Sequence, residues 1–409
     1  MKRVVVTGMG ILSPCGNDPV TFFANLVAAR SGIGRHSTVF PEDSTPWLTG
    51  EIPPFPTTGF TPMRLNTLDR TTLIALLAAR QAIADAKLIV EDKTRAGVYW
   101  GTGLGGANTM EASYRQSLGH AARARLKPST VVMTMNNAAA SEISLETGFS
   151  GPAYTYSIAC ASAAIGIGEA LRAIRNGYCD CAVAGGADSL LTLGSLKAWH
   201  ALQTLAREDA ANPATSCRPF AADRTGFVLA EGAGALVLEE AEAAVARGAT
   251  IYAELAGFGS TSDASHITKP SAEGQARAMR MALADAELAG EDIGYINAHG
   301  TATLAGDLCE TNAIKAAFGA AAPRIPVSST KALHGHVMGA TGVVELIAAL
   351  MALRENTLPP TAHLQQPDPA CDLDYVPNTA RQVAHLHAVM SNSFAFGGNN
   401  AVLIARRFS

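Results

Sequence analysis

The sequence has no apolar run close to the roughly 20 residues that a membrane-spanning helix needs. Its first ten residues carry two basic side chains and then valines, but this apolar run is short and broken by glycine. It therefore indicates a first buried strand that ends in a glycine turn, and not a secretory signal. Charged residues make up only 16% of the 409 residues and hydrophobic residues 48%, so we expect a compact cytoplasmic protein with a large core.

Positive charge is also not in excess, since the formal net charge is −4. No basic run with interleaved aromatic residues is present, and we expect no nucleic-acid partner. Cysteine is sparse, with an odd total of seven, and the pair Cys179 and Cys181 lacks the spacing of a metal knuckle. The sequence therefore predicts free thiols in a reducing cytosol and no metal site.

Short apolar runs alternate with helical segments along the whole chain. This alternation predicts an α/β fold with largely buried strands. The predicted strands are 4–6, 97–100, 181–184, 235–238, 293–296, 326–328, 389–392 and 401–404, and the predicted helices are 68–86, 160–174, 274–288, 307–318 and 342–353. The pattern divides near residue 249, which predicts two parts, 1–249 and 250–409.

One cysteine stands apart from the others. Cys160 lies in the stretch ACASAAIGIG, between a strand pattern over 153–158 and a helix that ends near Asn176 and Gly177. A thiol at such a strand-to-helix turn meets free backbone N–H groups and the positive end of the helix dipole, and both favour a thiolate. The alternative is a buried structural cysteine, which is the commoner fate of a lone cysteine.

Three further clusters combine polar side chains with glycine. In INAHGTATLAGD an apolar strand reaches His299 and breaks at the next glycine. In SSTKALHGHVMGATGVVE, Lys331 and His336 lie in a glycine-rich turn before a helix. In NSFAFGGNN, Gly397 and Gly398 join two predicted strands, and their backbone could approach a substrate closely.

Each cluster also has a structural explanation. His299 could be a satisfied polar residue at a strand end, and Lys331 could simply pair with Glu345. Asp307 and Glu310 have the spacing of a capping box at a helix start. Four glycine-flanked polar clusters at strand ends, one with cysteine and two with histidine, nevertheless favour a single active site.

In this order and composition, the four motifs resemble those of the decarboxylating β-ketoacyl-acyl-carrier-protein synthases, within the thiolase superfamily. The stretch RPFAADRTGFVLAEGAGALVLEE supports the resemblance, which covers nearly the whole chain. It implies an α/β thiolase fold with a five-layered α-β-α-β-α core made of two similar halves. The implied reaction is a decarboxylative Claisen condensation, in which malonyl carrier extends an acyl group held on Cys160 by two carbons and releases carbon dioxide.

The resemblance also implies a role for individual residues. Cys160 matches the nucleophile, His299 and His336 match the two catalytic histidines, and Lys331 matches the family lysine. Phe396 matches the gate residue whose backbone N–H forms the oxyanion hole with that of Cys160. The other implied site residues are the supporting Glu345, Asp307 and Glu310 and the substrate-binding Thr301, Thr303, Leu104, Phe394, Gly397 and Gly398.

The implied partner is an acyl carrier protein whose phosphopantetheine arm presents acyl and malonyl thioesters, so no cofactor and no metal are expected. The implied assembly is a homodimer, or a heterodimer with a chain-length-factor homologue. A thiolase would need a second cysteine in an active-site motif, and Cys-His-Asn condensing enzymes would not have His336. A noncatalytic scaffold partner would lack Cys160.

A specialised ketosynthase of a secondary acyl chain pathway, such as that of an aryl polyene pigment, stays open because the sequence departs from the usual elongation pattern. His334 stands where threonine is usual, and Ala395 and Asn399 change the usual FGFGGTN. Arg64 and Arg70 form a thinner basic patch for an acidic carrier than housekeeping members tend to have.

Overall fold

The computed structural model describes residues 2–38, 40, 43–119 and 125–409. The helices are α1 Pro19–Val27, α2 Pro62–Leu65, α3 Arg70–Ala86, α4 Ala107–Gly119, α5 Thr130–Thr134, α6 Ala138–Thr147, α7 Ser162–Arg175, α8 Leu193–Ala201, α9 Ala241–Ala246, α10 Ala272–Ala286, α11 Leu304–Phe318, α12 Lys331–His334 and α13 Thr341–Glu355. The strands are β1 Val4–Leu12, β2 Ile33–Arg35, β3 Leu48–Gly50, β4 Ala96–Gly101, β5 Ala153–Tyr156, β6 Cys181–Asp188, β7 Leu229–Ala230, β8 Gly232–Glu240, β9 Ala253–Ser262, β10 Ile293–Asn297, β11 Val327–Ser328, β12 Thr357–Leu358, β13 Arg381–Gln382, β14 Ala388–Ala395 and β15 Asn399–Arg406. No helix in the described ranges is long and apolar enough to cross a membrane.

Ten of these strands form one sheet that repeats the same topology twice. The first half has the order β5-β4-β6-β8-β1 and the second half β11-β10-β14-β15-β9. In both halves the first three strands of this order are parallel to one another. The fourth strand pairs antiparallel with the third, and the fifth pairs antiparallel with the fourth. A short antiparallel contact between β1 and β9 links the halves. The implied two similar halves are therefore confirmed.

Helices fill the layers around and between the two halves. α7 and α13 pack between them, and α13 is buried at every position from Thr341 to Leu353, as expected of a helix that is covered on all sides. α3 covers the outer face of the first half, and α10 with α11 covers that of the second. This confirms the α-β-α-β-α layering. The division between residues 249 and 250 falls between α9 and β9 and stays a prediction.

Glycines in two equivalent strands correct the sequence analysis. β1 does not end in a glycine turn near residue 8: a Cβ at Gly8 or Gly10 would come within 2.1 Å of carbonyl oxygens of α3, so these glycines let the helix pack on the strand. β9 was not predicted at all, because glycine and polar residues interrupt its apolar pattern. Its Gly257 and Gly259 stand against α10 in the same way, at 2.4 and 2.1 Å.

Candidate active site

A cavity of about 270 Å³ is lined by Cys160, His299 and His336. Their sulfur and ring nitrogen atoms lie within 4.8 Å of one another. Cys160 follows β5 and His299 follows β10, so both stand beyond the carboxyl ends of strands in a parallel part of the sheet, where α/β folds place their sites. The structure thus brings together three side chains from three separate motifs.

The turn that carries Cys160 is strained. Ala159 has a φ of 44°, a left-handed conformation that residues with a Cβ rarely adopt. Ser162 stabilises the turn, because its Oγ donates to the Ala159 carbonyl at 2.6 Å and accepts from the Ile158 N–H at 2.8 Å. α7 begins at Ser162, so Cys160 precedes the helix and does not open it as predicted.

The predicted ease of thiolate formation is wrong for the resting pocket. Burial raises the pKa of the Cys160 thiol to about 12, although the positive charge of Lys331 opposes this shift. Removal of the thiolate from water disfavours the anion more than the charge of Lys331 favours it. Cys160 is therefore a neutral thiol before substrate arrives.

His336 is held in one tautomer. The backbone N–H of Met338 donates to Nδ1 at 3.2 Å, so the proton of the neutral ring lies on Nε2, which is 3.1 Å from the Cys160 sulfur. The hydroxyl of Thr341 lies 2.8 Å from the same Nδ1. Burial and then the charge of Lys331 hold the pKa of His336 well below its usual value. His336 is therefore a neutral N–H donor that faces the sulfur of Cys160.

His299 is oriented in the same sense. The ammonium of Lys331 lies 3.4 Å from Nδ1 and can only donate, which leaves Nε2 as the protonated nitrogen. Burial, Lys331 and His336 hold the pKa of His299 well below its usual value. The carboxylate of Glu310 accepts from the backbone N–H groups of His299 and Gly300 at 2.9 and 2.8 Å and so fixes the loop.

Lys331 and Glu345 form a fully buried ion pair. Nζ lies 2.5 Å from Oε1 of Glu345, and it also donates to the carbonyl of His299 at 2.5 Å. Burial raises the pKa of Glu345, whereas the charge of Lys331 and its hydrogen bond oppose this shift and favour the carboxylate. The pair anchors the ammonium whose other contacts orient His299.

We expect Lys331→Met to lower the free energy of unfolding by about 3–5 kcal/mol, because it leaves Glu345 buried without its cation. The double variant Lys331→Met with Glu345→Leu should recover most of that stability in urea unfolding. It should not recover condensation, since His299 has still lost its donor at Nδ1. Recovery of full activity by the double variant would show that Lys331 does not position His299.

The capping box predicted from Asp307 and Glu310 is wrong. Thr303 is the N-cap of α11, and Asp307 lies further along the helix. Its carboxylate accepts from the backbone N–H of Phe220 at 2.7 Å and lies 3.5 Å from Arg224. Burial raises the pKa of Asp307 to about 7. Glu310 therefore holds the loop that carries His299 directly. Asp307 acts through Arg224, whose guanidinium donates to the Thr303 carbonyl further along that loop.

The walls of the cavity include six more of the predicted residues, Thr301, Thr303, Glu310, Phe394, Phe396 and Gly398. Gly397 and Leu104 are not among the lining residues, and Leu104 is 55% exposed. Two aromatic residues were missed: Trp199 stacks on Phe396 with ring centroids 5.9 Å apart, and the ring of Phe227 lies 5.0 Å from that of His336. Nothing in the sequence around Trp199 and Phe227 distinguishes them from aromatic residues of the core.

The residues that differ from the usual elongation pattern lie in different parts of the structure. Ala395 lines the cavity, whereas His334 is fully buried behind it and does not. Arg64 pairs with Glu142, and Arg70 pairs with the buried Glu231. Both guanidinium groups are thus held by acidic partners of the same chain.

Residues 1–244 match the family model for the β-ketoacyl synthase N-terminal domain, and residues 252–365 match that for its C-terminal domain. The chain belongs to the β-ketoacyl synthase family. This synthase is 42% identical to 3-oxoacyl-[acyl-carrier-protein] synthase 2 of Staphylococcus aureus strain N315, over 100% of this chain and 99% of the relative.

Two solved structures agree with this placement. A β-ketoacyl synthase from Burkholderia phymatum STM815 superposes with a TM-score of 0.91 at 36% identity, over 100% of both chains. A ketosynthase solved in complex with its type II polyketide acyl carrier protein gives 0.91 at 30% identity, again over 100% of both chains. The synthase has the thiolase fold and is an acyltransferase, a β-ketoacyl-acyl-carrier-protein synthase. The specialised alternative gains no advantage from these relatives.

Proposed function

We propose that Cys160 carries the growing acyl group and that His299 and His336 stabilise the enolate formed from malonyl carrier. One observation carries this assignment: two neutral imidazoles converge on the nucleophile, each with its Nδ1 occupied by a donor, which leaves the two Nε2–H groups for substrate. Two N–H donors at one oxygen are the usual means of stabilising an oxyanion.

The first half-reaction is a thioester exchange. The sulfur of Cys160 attacks the carbonyl carbon of the acyl thioester, and the bond from that carbon to the pantetheine sulfur breaks. The proton of the Cys160 thiol ends on the departing pantetheine thiol, so charge and protons balance. Because the thiol is neutral in the resting pocket, its proton is lost as the new bond forms. The backbone N–H groups of Cys160 and Phe396 are the proposed oxyanion donors of this step.

The second half-reaction begins when malonyl carrier enters. Its carbon–carboxylate bond breaks, carbon dioxide leaves, and the electron pair passes to the thioester oxygen as an enolate. The Nε2–H groups of His299 and His336 donate to that oxygen. The enolate carbon then attacks the acyl carbonyl on Cys160, and the Cys160 sulfur leaves as a thiolate, which takes up one proton from solvent to restore the neutral thiol. We propose that these hydrogen bonds stabilise the enolate and that no metal or other cofactor takes part.

The proposed partner is an acyl carrier protein. Its phosphopantetheine arm would pass Thr301 and Thr303, which line the cavity and hydrogen-bond to each other at 3.0 Å. The similar ketosynthase that was solved with its carrier protein supports this partner.

Intact mass spectrometry tests the function directly. The synthase is incubated with a series of saturated and polyunsaturated acyl carriers, and malonyl carrier is added afterwards. A mass increase of one acyl group, followed by its loss as a β-ketoacyl carrier two carbons longer, is the expected result. Loading confined to polyunsaturated chains would instead favour the specialised pathway, and no loading by any carrier would reject the assignment.

We also propose that the synthase assembles as a homodimer through the β5 edge. β5 pairs only with β4 in the described part of the chain, so its other edge is open, and Tyr154 on it is 56% exposed. Val131 lies on α5, which contacts α6 beside β5, and is 70% exposed. Leu104 follows Gly103, whose carbonyl accepts from Ser157 just beyond β5, and is 55% exposed. A second copy of the chain would cover these apolar side chains. It would also enclose Leu104, one of the substrate-binding residues that the family resemblance implies.

The double variant Tyr154→Asp with Val131→Asp should be monomeric in sedimentation velocity at concentrations where the wild type is dimeric, because it places two charges in the proposed contact. Ile89→Asp is the matched control, since Ile89 is 83% exposed and lies in the loop after α3, in a surface depression that it shares with residues 247–250. If the wild type is monomeric alone and dimerises only with a homologue, the assembly is a heterodimer and the proposed homodimer is rejected.

A further inference from the structure

Asp188 joins loops from both halves of the molecule. It is the last residue of β6 and is fully buried. Its carboxylate accepts from the Thr102 hydroxyl at 2.8 Å and from the Gly103 N–H at 2.8 Å, both in the first half. It also accepts from the N–H of Gly339, in the second half, at 2.6 Å. One buried side chain is thus shared by two loops to which it is not adjacent in sequence.

The two loops touch at glycines. A Cβ at Gly339 would come within 2.4 Å of the backbone nitrogen of Gly103 and 2.6 Å of an Asp188 oxygen. Gly339 directly follows Met338, whose N–H donates to Nδ1 of His336. The path from Asp188 to the imidazole is therefore the hydrogen bond of Gly339, the backbone of one residue, Met338, and the hydrogen bond of Met338.

We propose that Asp188 is a positioning residue for His336: it fixes the Met338–Gly339 backbone so that the Met338 N–H stays on Nδ1 and the Nε2–H stays toward Cys160. This inference rests on the proposed function, which gives that Nε2–H its task. Without the Asp188 carboxylate, the backbone of Met338 and Gly339 is free to turn. The imidazole of His336 can then carry its proton on Nδ1, which leaves Nε2 as an acceptor beside the enolate oxygen.

The chemistry at Asp188 favours a carboxylate over its amide. Burial raises the pKa of Asp188 to about 6, with the Thr102 and backbone hydrogen bonds opposing the shift, so the group is ionised at neutral pH. An asparagine would offer one oxygen acceptor and would turn an NH₂ group toward backbone N–H donors. The N–H groups of Gly103 and Gly339 share Oδ2, so an amide oxygen there would still meet both loops, but through weaker, uncharged hydrogen bonds, and the Thr102 hydroxyl would lose its acceptor.

The test compares Asp188→Asn with Glu254→Gln. Glu254 is also buried and held by Arg3 and Arg406, but it lies on β9 away from the cavity, so it reports the general effect of removing a buried carboxylate. Malonyl-carrier decarboxylation, acyl transfer to Cys160 and thermal unfolding are measured for both. We expect Asp188→Asn to slow decarboxylation by roughly 10- to 100-fold, the loss seen when the outer hydrogen-bond partner of a metal-bound histidine is removed, and to slow acyl transfer less.

A nitrogen-15 spectrum of the histidine rings supplies a second readout. The wild type should show His336 with its proton on Nε2, and Asp188→Asn should show a mixture of tautomers. The proposal is overturned by an unchanged tautomer, or by equal losses in both half-reactions that match the fall in melting temperature. His336→Ala with normal decarboxylation would instead reject the proposed function, and the tautomer spectrum would still decide the role of Asp188.

Discussion

Replacing His299 by alanine is expected to lower carbon dioxide release from malonyl carrier by on the order of 10²–10³-fold, the usual cost of removing one oxyanion donor. Acylation of Cys160 should change much less, because the hydrogen bonds of His299 run to Lys331 and, through its backbone, to Glu310, and not to the sulfur. Released carbon dioxide and acyl-enzyme mass, measured on the same preparation, separate the two half-reactions.

His336→Ala should show an equal loss in decarboxylation together with slower acylation, because the Nε2 of His336 lies 3.1 Å from the Cys160 sulfur. The asparagine variants are the matched controls, since an amide keeps an N–H donor near the same place. We expect His299→Asn and His336→Asn to retain more decarboxylation than the alanine variants. Normal carbon dioxide release by either alanine variant would remove the enolate from the proposed mechanism.

The fold class was predictable from sequence because buried strands and helices have different apolar periods. The internal duplication was not predictable from the residues, because the two halves share the order of their strands but show no repeat in their amino-acid sequence. The paired glycines of β1 and β9 show the physical reason for two further errors. Gly8 and Gly257 serve the close approach of a helix to a strand, a tertiary contact that local sequence cannot report.

The candidate site was predictable where its chemistry is visible in the side chain itself. Cys160, His299 and His336 were found as polar residues at the ends of apolar strands, and the structure brings them together. What depends on burial was not predictable. The helix terminus suggested an acidic thiol, whereas desolvation raises the pKa of Cys160 to about 12. Asp188 also ends an apolar strand, and that same signal could have found it.

Cys160→Ala should abolish acyl loading and condensation, because the thiol is the only group of the converging triad that can form the thioester. Cys217→Ala is the matched control: Cys217 is also fully buried but is not among the residues that line the cavity. Intact mass after incubation with acyl carrier should show no acyl group on the first variant and full loading on the second. Full acylation of Cys160→Ala would move the nucleophile elsewhere.

The pH dependence of alkylation distinguishes a neutral thiol from a preformed thiolate at this residue. With a pKa raised to about 12, the thiolate fraction of Cys160 grows tenfold for each pH unit below that value. The rate of inactivation by iodoacetamide should therefore rise steadily from about pH 6 to about pH 9, the range in which an ordinary thiol would begin to level off. His336→Ala removes the N–H that would face the thiolate and should lower the rate at every pH without changing the slope. A plateau in the wild type below about pH 8 would instead show that the helix terminus and the Nε2–H of His336 outweigh desolvation, and that Cys160 attacks as a preformed anion.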